Sequence, residues 1–210
     1  RGVEGSIDDK IRASVLDINF NLKNISDLNK RIANLEVTGG ETGDLRDQRD
    51  LALRSLAGSL EISTYTDDEG HYNVQVAGVG TLVTGGIYQE LMAATSNRDD
   101  STHDTASSVE IFLKNRPASN LTDRFGGGSL AAIVKVRNED IRNLRSGLDN
   151  IAFDFINSVN AVHRRGYVSR PIPIDGSGAP MKSDHRPITG IDFFKEPVSR
   201  QDASVNIDLN

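Results

Sequence analysis

One helical column of apolar residues constrains this chain more than any other feature of its sequence. Between residues 130 and 162, ten positions spaced alternately by four and three residues carry eight apolar side chains. That spacing follows the turn of an α-helix, so these residues share one face. It predicts a long helix from Ser129, as its N-cap, to about Arg165, with Gly166 ending it. The apolar members are Leu130, Val134, Ile141, Leu144, Leu148, Ile151, Phe155 and Val162, and the other two positions are Arg137 and Ser158.

A second column lies near the start of the chain. Ser6 and Asp9 have the spacing of a capping box, which predicts that a helix begins at Ser6. The helix is expected to run to Leu35, and Thr38-Gly39-Gly40 ends it. Isoleucine recurs every seven residues along it and a companion column runs beside, which predicts packing against other long helices. The eight residues are Ile11, Val15, Ile18, Leu22, Ile25, Leu28, Ile32 and Leu35.

A third helix is predicted from Asp44 to about Leu60, with opposite apolar and charged sides. Apolar columns such as these pack either inside one chain or in a seam between chains. The internal core is the commoner arrangement, but periodicity does not separate the two. The expected buried side is Leu45, Ala52, Leu53, Leu56 and Leu60, and the expected exposed side is Arg46, Asp50 and Arg54.

After Leu60 the apolar period changes from that of a helix to that of a strand. Ile62–Thr66 and the alternating Tyr72, Val74 and Val76 predict a β-hairpin with a glycine-containing turn between them. Short strands are also expected at 81–83 and 109–113, a polar loop at 96–108, and a glycine hinge at 126–128.

These patterns predict an α+β fold, namely a bundle of long antiparallel amphipathic helices with a small antiparallel β insert. Residues 1–60 form the helical part of the core domain and 61–128 a small β-rich subdomain. Residues 129–166 form the long helix that completes the bundle. Residues 167–210 form a loop and short-strand segment that leads into an outer domain.

The composition argues against several classes of protein. The chain has 24 basic and 30 acidic residues without a basic stripe, so no nucleic-acid partner is expected. It has no cysteine, which excludes disulfides, zinc fingers and thiol catalysis. It shows neither an apolar run long enough to span a bilayer nor a signal segment, so no membrane insertion and no cleaved signal peptide are expected. Because it starts at Arg1 rather than Met, we expect a fragment of a longer protein.

The sequence also shows no arrangement of residues typical of catalysis. It contains neither a His-Glu-x-x-His nor a Gly-x-Ser-x-Gly motif. Gly126–Ser129 lacks the lysine of a phosphate-binding loop, and Asp67–Gly70 is too short for a calcium loop. We therefore expect no enzyme activity, no cofactor and no metal site. The four histidines are His71, His103, His163 and His185.

Three sequence blocks together carry a family resemblance. They are Leu45–Asp50 with the following Leu60–Ser63; Tyr72–Val76 with Gly80–Gly85; and Gly128–Ile133 with Arg137 and Val159–His163-x-x-Gly166. In this order and spacing, over roughly residues 20–166, the chain resembles the flagellar hook-associated protein 1 family, the hook–filament junction proteins of bacteria. The residues taken as a structural family motif are Asp47, Gln48, Arg49, Asp50, Asn160, His163 and Gly166.

The chain departs from the family pattern after Gly166. In the family an Asp/Asn-Gly turn and an Asp-Phe-Phe follow closely. Here Asp175-Gly176 and Asp192-Phe193-Phe194 are separated by extra residues, including 170–173 and 182–189.

The resemblance implies a structural subunit of the flagellum that templates filament assembly by subunit packing. Its expected partners are the hook protein and other hook-associated proteins, together with self-association in the axial structure. Its expected location is extracellular, after export without a cleaved signal peptide. The family's terminal helices are missing from the sequence, so we expect the chain alone to be monomeric. The residues Asp47–Asp50 are expected to fix helix against helix by charge pairing.

Other functions stay open at this point. A flagellin-like axial subunit would share the long helices, although the hairpin and His-x-x-Gly set is not typical of it. A secreted adhesin or binding module would use the β insert and the late loop as its contact surface. An enzyme carried on the flagellum would need a polar pocket with converging Asp, Glu or His side chains.

Overall fold

A computed structural model of the chain describes residues 2–68, 70–96, 108–166, 190 and 192–210. The chain divides into two compact units, Arg1–Asp140 (unit 1) and Ile141–Asn210 (unit 2). The boundary falls inside the predicted long helix. The four-part domain division made from the sequence stays a prediction.

Two antiparallel helices form one layer of unit 1. α1 spans Val3–Val37 and α2 spans Gly43–Ser59, close to the predicted ranges. Their opposite directions follow from side-chain hydrogen bonds in which the residue number rises along α1 as it falls along α2. These pairs are Asn21 with Ser55, Asn29 with Arg49, and Glu36 with Arg46.

The predicted column of α1 is confirmed except at its last member. Its first seven residues, Ile11 to Ile32, are at most 3% exposed. Leu35 is 38% exposed because it lies at the end of the helix, where it packs against Gly40 of the connection. The capping box predicted at Ser6 is wrong, because Gly2 precedes α1 and makes no side-chain cap. Thr42 precedes α2, also without a side-chain cap.

A four-stranded antiparallel sheet follows α2. Its strands are β1 (Ile62–Thr66), β2 (Tyr72–Val76), β3 (Gly80–Thr84) and β4 (Ile87–Tyr88), in that spatial order. The predicted hairpin is confirmed, with Thr64 opposite Val74.

A second antiparallel sheet has the order β5-β6-β7. Its strands are Leu91–Ser96, Ser108–Leu113 and Arg116–Asn120, of which only β6 was predicted. Most of the predicted polar loop between β5 and β6 lies outside the described residues. One apolar core joins α1, α2, both sheets and α3 (Gly128–Lys135).

The glycines before α3 pack closely against the chain around Ser59 and Glu61, and the predicted hinge there stays a prediction. Gly128 has φ +86°, and a Cβ there would lie 2.4 Å from the Ser59 carbonyl oxygen. A Cβ on Gly127 would lie 2.9 Å from Oε2 of Glu61. A carboxylate beside the first turn of a helix is favoured by the helix dipole. The Glu61 carboxylate therefore lies where the start of α3 favours a negative charge.

The predicted single long helix is interrupted. α3 is followed by a π-helical segment, Val136–Asp140, and then by α4, Ile141–His163. A π turn holds more residues than an α turn, so helical positions counted through it change face. The predicted N-cap at Ser129 is also wrong, since Gly127 is the N-cap of α3.

The described part of unit 2 includes α4 and the segment 192–210, and the strand pairing of that segment is a single bridge between Phe194 and Leu209. The buried residues of α4 are Asp149, Ala152, Ile156 and Asn160. The predicted column is exposed from Leu144 onward. Three of its members, Leu148, Ile151 and Phe155, each come directly before one of the buried residues. Residues 167–189, which include the extra residues, lie outside the described residues, so the predicted loop there stays a prediction.

The described residues contain no helix long and apolar enough to cross a membrane. Across the same part of the chain, no group of three or more His, Cys, Asp or Glu side chains could hold a metal ion. Glu69, His103 and His185 lie outside that part.

Candidate functional site

A buried arginine links the two helices of unit 1 to the first sheet. Arg49 of α2 is 3% exposed. Its Nη1 donates to Oδ1 of Asn29 on α1 at 3.0 Å, and its guanidinium lies 3.8 Å from the ring centroid of Tyr72 on β2. Burial lowers the pKa of Arg49, although attraction to Tyr72 and Asp50 opposes that effect. The guanidinium stays charged at neutral pH because its ordinary pKa is so high.

Asn29 uses both ends of its amide at this junction. Its Nδ2 donates to the carbonyl oxygens of Tyr72 at 2.8 Å and Gly85 at 2.7 Å. Its Oδ1 accepts from the backbone N–H of Tyr72 at 3.3 Å as well as from Arg49. One side chain thus joins α1, α2, β2 and the turn after β3. We call Asn29, Arg49 and Tyr72 the unit 1 clamp.

The structure brings only one of the four residues Asp47–Asp50 into this clamp. Asp47 and Gln48 are exposed, and Asp50 is half-buried. The expected charge pairing is wrong for Arg49, whose side chain contacts an amide and an aromatic ring. An exposed ion pair does join the helices nearby, with Nη2 of Arg46 2.5 Å from Oε1 of Glu36. The hydrogen bond from Arg46 lowers the pKa of Glu36.

A second asparagine of α1 holds the second sheet. Nδ2 of Asn19 donates to the carbonyl oxygen of Leu91 at 2.7 Å, and its Oδ1 accepts from the Leu91 N–H at 2.9 Å. The amide therefore pairs with β5 as a neighbouring strand residue would. Sequence reasoning missed Asn19 and Asn29. The sequence feature that could have identified them is a polar residue directly next to a core position of the apolar column.

Asn160 plays the corresponding part in unit 2. It is 1% exposed. Its Oδ1 accepts from the N–H groups of Phe193 at 3.0 Å and Phe194 at 2.9 Å, and its Nδ2 donates to the Phe194 carbonyl at 3.0 Å. Asp192-Phe193-Phe194, which the extra residues separate from Asn160 in the sequence, is thus held against α4.

The other motif residues of unit 2 surround this contact. The ring of His163 lies 5.6 Å from that of Phe193, and the rings of Phe193 and Phe194 meet edge to face at 4.8 Å. The Gly166 N–H donates to the His163 carbonyl at 2.9 Å and closes the end of α4. Asn160, His163, Phe193 and Phe194 form what we call the unit 2 clamp.

Arg164 and Asp149 strengthen unit 2 on either side of the clamp. Arg164 forms a two-pronged ion pair with Asp192, and its hydrogen bond lowers the pKa of Asp192. Asp149 accepts from the side chain of Ser204 and from the N–H groups of Ser204 at 3.0 Å and Asp202 at 3.1 Å. Burial would raise the pKa of Asp149, but these hydrogen bonds outweigh it and the pKa is lowered.

The most extended exposed feature of the described residues of α4 is an apolar column. Its members are between 51% and 73% exposed. They follow helical spacing, whereas the polar members of α4's buried face bond to the segment 192–210. Exposed apolar residues arranged in one stripe are typical of an interaction surface. We call Leu144, Leu148, Ile151, Phe155 and Val162 the α4 column.

Comparison with known proteins gives consistent matches. Residues 1–173 match the model of the flagellar hook-associated protein FlgK helical domain. The chain is 31% identical to flagellar hook-associated protein 1 of Salmonella typhimurium over 159 residues, covering 75% of this chain and 28% of that protein. It is 26% identical to the Bacillus subtilis protein of the same name over 186 residues, covering 78% of this chain and 36% of that protein.

A solved structure agrees in fold. The chain superimposes on the flagellar hook junction protein FlgK from Burkholderia pseudomallei with a TM-score of 0.64 and 24% identity. The match covers 78% of this chain and 29% of that one. The chain thus spans under a third of the length of the Salmonella and Burkholderia proteins.

Proposed function

The chain belongs to the FlgK family of flagellar hook-associated proteins, and from that membership we propose that it is a structural subunit of the hook–filament junction. In this role it carries out no chemistry and acts through its surfaces. It packs against the hook protein, other hook-associated proteins and further copies of itself, and so templates filament assembly. Its place is extracellular, reached by export without a cleaved signal peptide. The absence of cysteine suits passage as an unfolded chain, because no disulfide has to be reduced.

The α4 column is the observation that carries this proposal. Five large apolar side chains stand more than half exposed on one helix face. Such a face is stabilised when another helix covers it, because apolar surface is then removed from water. We assign the covering surface to helices from outside these 210 residues, which would complete a bundle of long antiparallel helices. That the chain by itself is monomeric stays a prediction. The α4 column is the surface through which we expect it to associate in the assembled structure.

The two clamps support the same role. A template has to present its surfaces in a fixed arrangement. If the sheets were attached flexibly, their surfaces would adopt many arrangements. In unit 1 the bonds of Asn29 and Arg49 hold the first sheet on the helices. In unit 2 those of Asn160 hold Phe193 and Phe194 on α4. Each unit is therefore held by directional bonds as well as by apolar packing.

Deletion of the gene, followed by complementation with the full-length gene, tests the proposal. Cells without the protein should build hooks but release flagellin into the medium as unpolymerised subunits, visible by electron microscopy and by blotting. Full-length protein with Ile151→Glu in the α4 column should fail to restore filaments. Ser146→Glu adds the same charge to an exposed position on another side of α4 and should restore them.

The other functions give different outcomes. Normal filaments on the deletion strain would contradict the junction role. Intact filaments with reduced attachment would indicate an adhesin. Intact filaments and attachment with one enzymatic activity lost would indicate a carried enzyme. If flagellin were absent from the medium of the deletion strain, the deleted protein would itself be a filament subunit.

A further inference from the structure

Among the described residues, the two sheets of unit 1 have four edge strands, β1 and β4 in the first sheet and β5 and β7 in the second. An edge strand presents backbone N–H and C=O groups that its own sheet does not pair. Proteins commonly shield such edges, because an open one can pair with another chain.

Three of these edges are shielded, each in a different way. β4 is two residues long and offers little to pair with. β5 packs against α1, and the N–H and C=O of its first residue, Leu91, are bound by the Asn19 amide. β7 begins with Arg116 and Pro117, a charge and a residue without an N–H, both of which discourage pairing.

The β1 edge has none of these protections. Its sequence, Ile62-Ser63-Thr64-Tyr65-Thr66, has no charge and no proline and consists mostly of residues that favour strands. The side chains from Ser63 to Thr66 are exposed. Within the described part of the chain, β1 pairs with β2 alone. It is therefore an open edge five residues long.

The charges around β1 decide what can pair with it. Glu61 precedes the strand, and Asp67 and Asp68 follow it. The Asp67 carboxylate also accepts from the His71 N–H at 2.9 Å and from Nδ2 of Asn73 at 3.2 Å. Glu61 and Asp68 are the more exposed charges. If two copies paired antiparallel about Thr64, Glu61 of each would lie opposite Asp67 of the other. Like charges directly opposite each other are destabilising, which disfavours a second copy as the occupant. A strand with basic residues at both ends is favoured instead, in either direction, because both ends of β1 are acidic.

We propose that the β1 edge binds an extended protein segment of about five uncharged residues with Lys or Arg at both ends, by strand addition. Backbone hydrogen bonds supply the attraction, and the flanking charges select the partner. The surface lies in unit 1 and does not depend on the proposed junction role.

The probes are two synthetic peptides, Lys-Thr-Val-Thr-Val-Thr-Lys and Glu-Thr-Val-Thr-Val-Thr-Glu. Titrated into the full 210-residue chain at low salt, the lysine peptide should bind about tenfold more tightly, since two weak attractions replace two weak repulsions. NMR shifts and slowed amide exchange should centre on β1. The preference should shrink as salt is raised. Equal binding of the two peptides, or binding of neither, would overturn the proposal.

Two variants locate the site. Thr64→Lys places a charge in the middle of the open edge and should abolish binding while leaving the circular dichroism spectrum unchanged. Ser119→Lys places the same charge on β7 and should leave binding unchanged. If the Thr64 variant still binds the lysine peptide, the site is elsewhere. If the unmodified chain self-associates and Thr64→Lys prevents it, the occupant is a second copy and the proposed partner is wrong.

Discussion

Replacing Asn29 with aspartate tests whether hydrogen bonding or charge holds the unit 1 clamp together. The two side chains have nearly the same shape, so packing changes little. Aspartate keeps both acceptor positions and turns the contact with Arg49 into an ion pair. It loses the Nδ2 donor, so a carboxylate oxygen then faces the carbonyls of Tyr72 and Gly85, which lie 2.8 and 2.7 Å from Nδ2 in the native chain.

The magnitudes favour destabilisation. Each carbonyl left without a donor costs about 1–3 kcal/mol, or about 2–6 kcal/mol for the pair. The charged hydrogen bond to Arg49 returns about 1.5–3 kcal/mol. At the middle of each range, about 4 kcal/mol is lost and about 2 kcal/mol is returned, so the expected net loss in the free energy of unfolding is about 2 kcal/mol. Asn29→Leu should cost more, because it also leaves the buried Arg49 charge without its hydrogen-bond acceptor.

Amide hydrogen exchange at β2 and β3 is the suitable assay, because it reports on unit 1 even if unit 2 unfolds separately. The expected order of protection is native, then Asn29→Asp, then Asn29→Leu. Asn34→Asp on the exposed side of α1 is the matched control and should change little. If the Asn29→Asp chain were as stable as the native chain or more so, the ion pair would dominate and the hydrogen-bond reasoning would be refuted.

Three further outcomes concern unit 2. Leu148→Asp should lower the melting temperature little, because this leucine is half exposed, whereas Ile156→Asp should cost several kcal/mol by burying a charge; equal losses in thermal melts would mean that the faces of α4 are wrongly assigned. The pKa of Asp149 in the folded chain lies below its ordinary value of 3.8. Its contribution to the free energy of unfolding is therefore fully present above that value and is lost as pH falls through the lower folded pKa. Acid titrations of the native chain and of Ser204→Ala should therefore diverge above that range and converge below it. When three glycines replace residues 167–189, the slow exchange of the Gly190 amide should persist, because this N–H donates to the Arg164 carbonyl at 3.0 Å and the short linker can still join the two sides.

Periodicity was sufficient to predict the first two helices and the hairpin. In α1 the apolar column coincides with the core because that helix packs on elements of the same unit. In α4 the same kind of column is exposed, and the side chains that unit 2 buries include Asp149 and Asn160. A period shows that a helix has an apolar face, but it does not show which surface covers that face. The π-helical segment adds a second obstacle, since no local composition marked it at Val136–Asp140.

The motif residues were harder to interpret than the helices. Arg49 was expected to form ion pairs, but its partners are an amide and a ring that come from distant parts of the chain. Asn160 and Asp192-Phe193-Phe194 were recognised as separate pieces of the family pattern. Their contact depends on the return of the chain to α4, which the spacing of the sequence does not encode.

Three buried or partly buried asparagines solve one physical problem in the same way. Asn19, Asn29 and Asn160 each offer a donor and an acceptor, and each uses them on the N–H and C=O of non-helical backbone. Apolar packing alone would tolerate sliding, because it has little directional preference. A side-chain amide that bonds both the N–H and the C=O of the attached backbone fixes the register of that segment. A slip of the segment by one residue would turn its side chains to the opposite face. The helices thus set the position of each attached segment to a single residue, and an aspartate at any of the three positions should loosen the segment it holds.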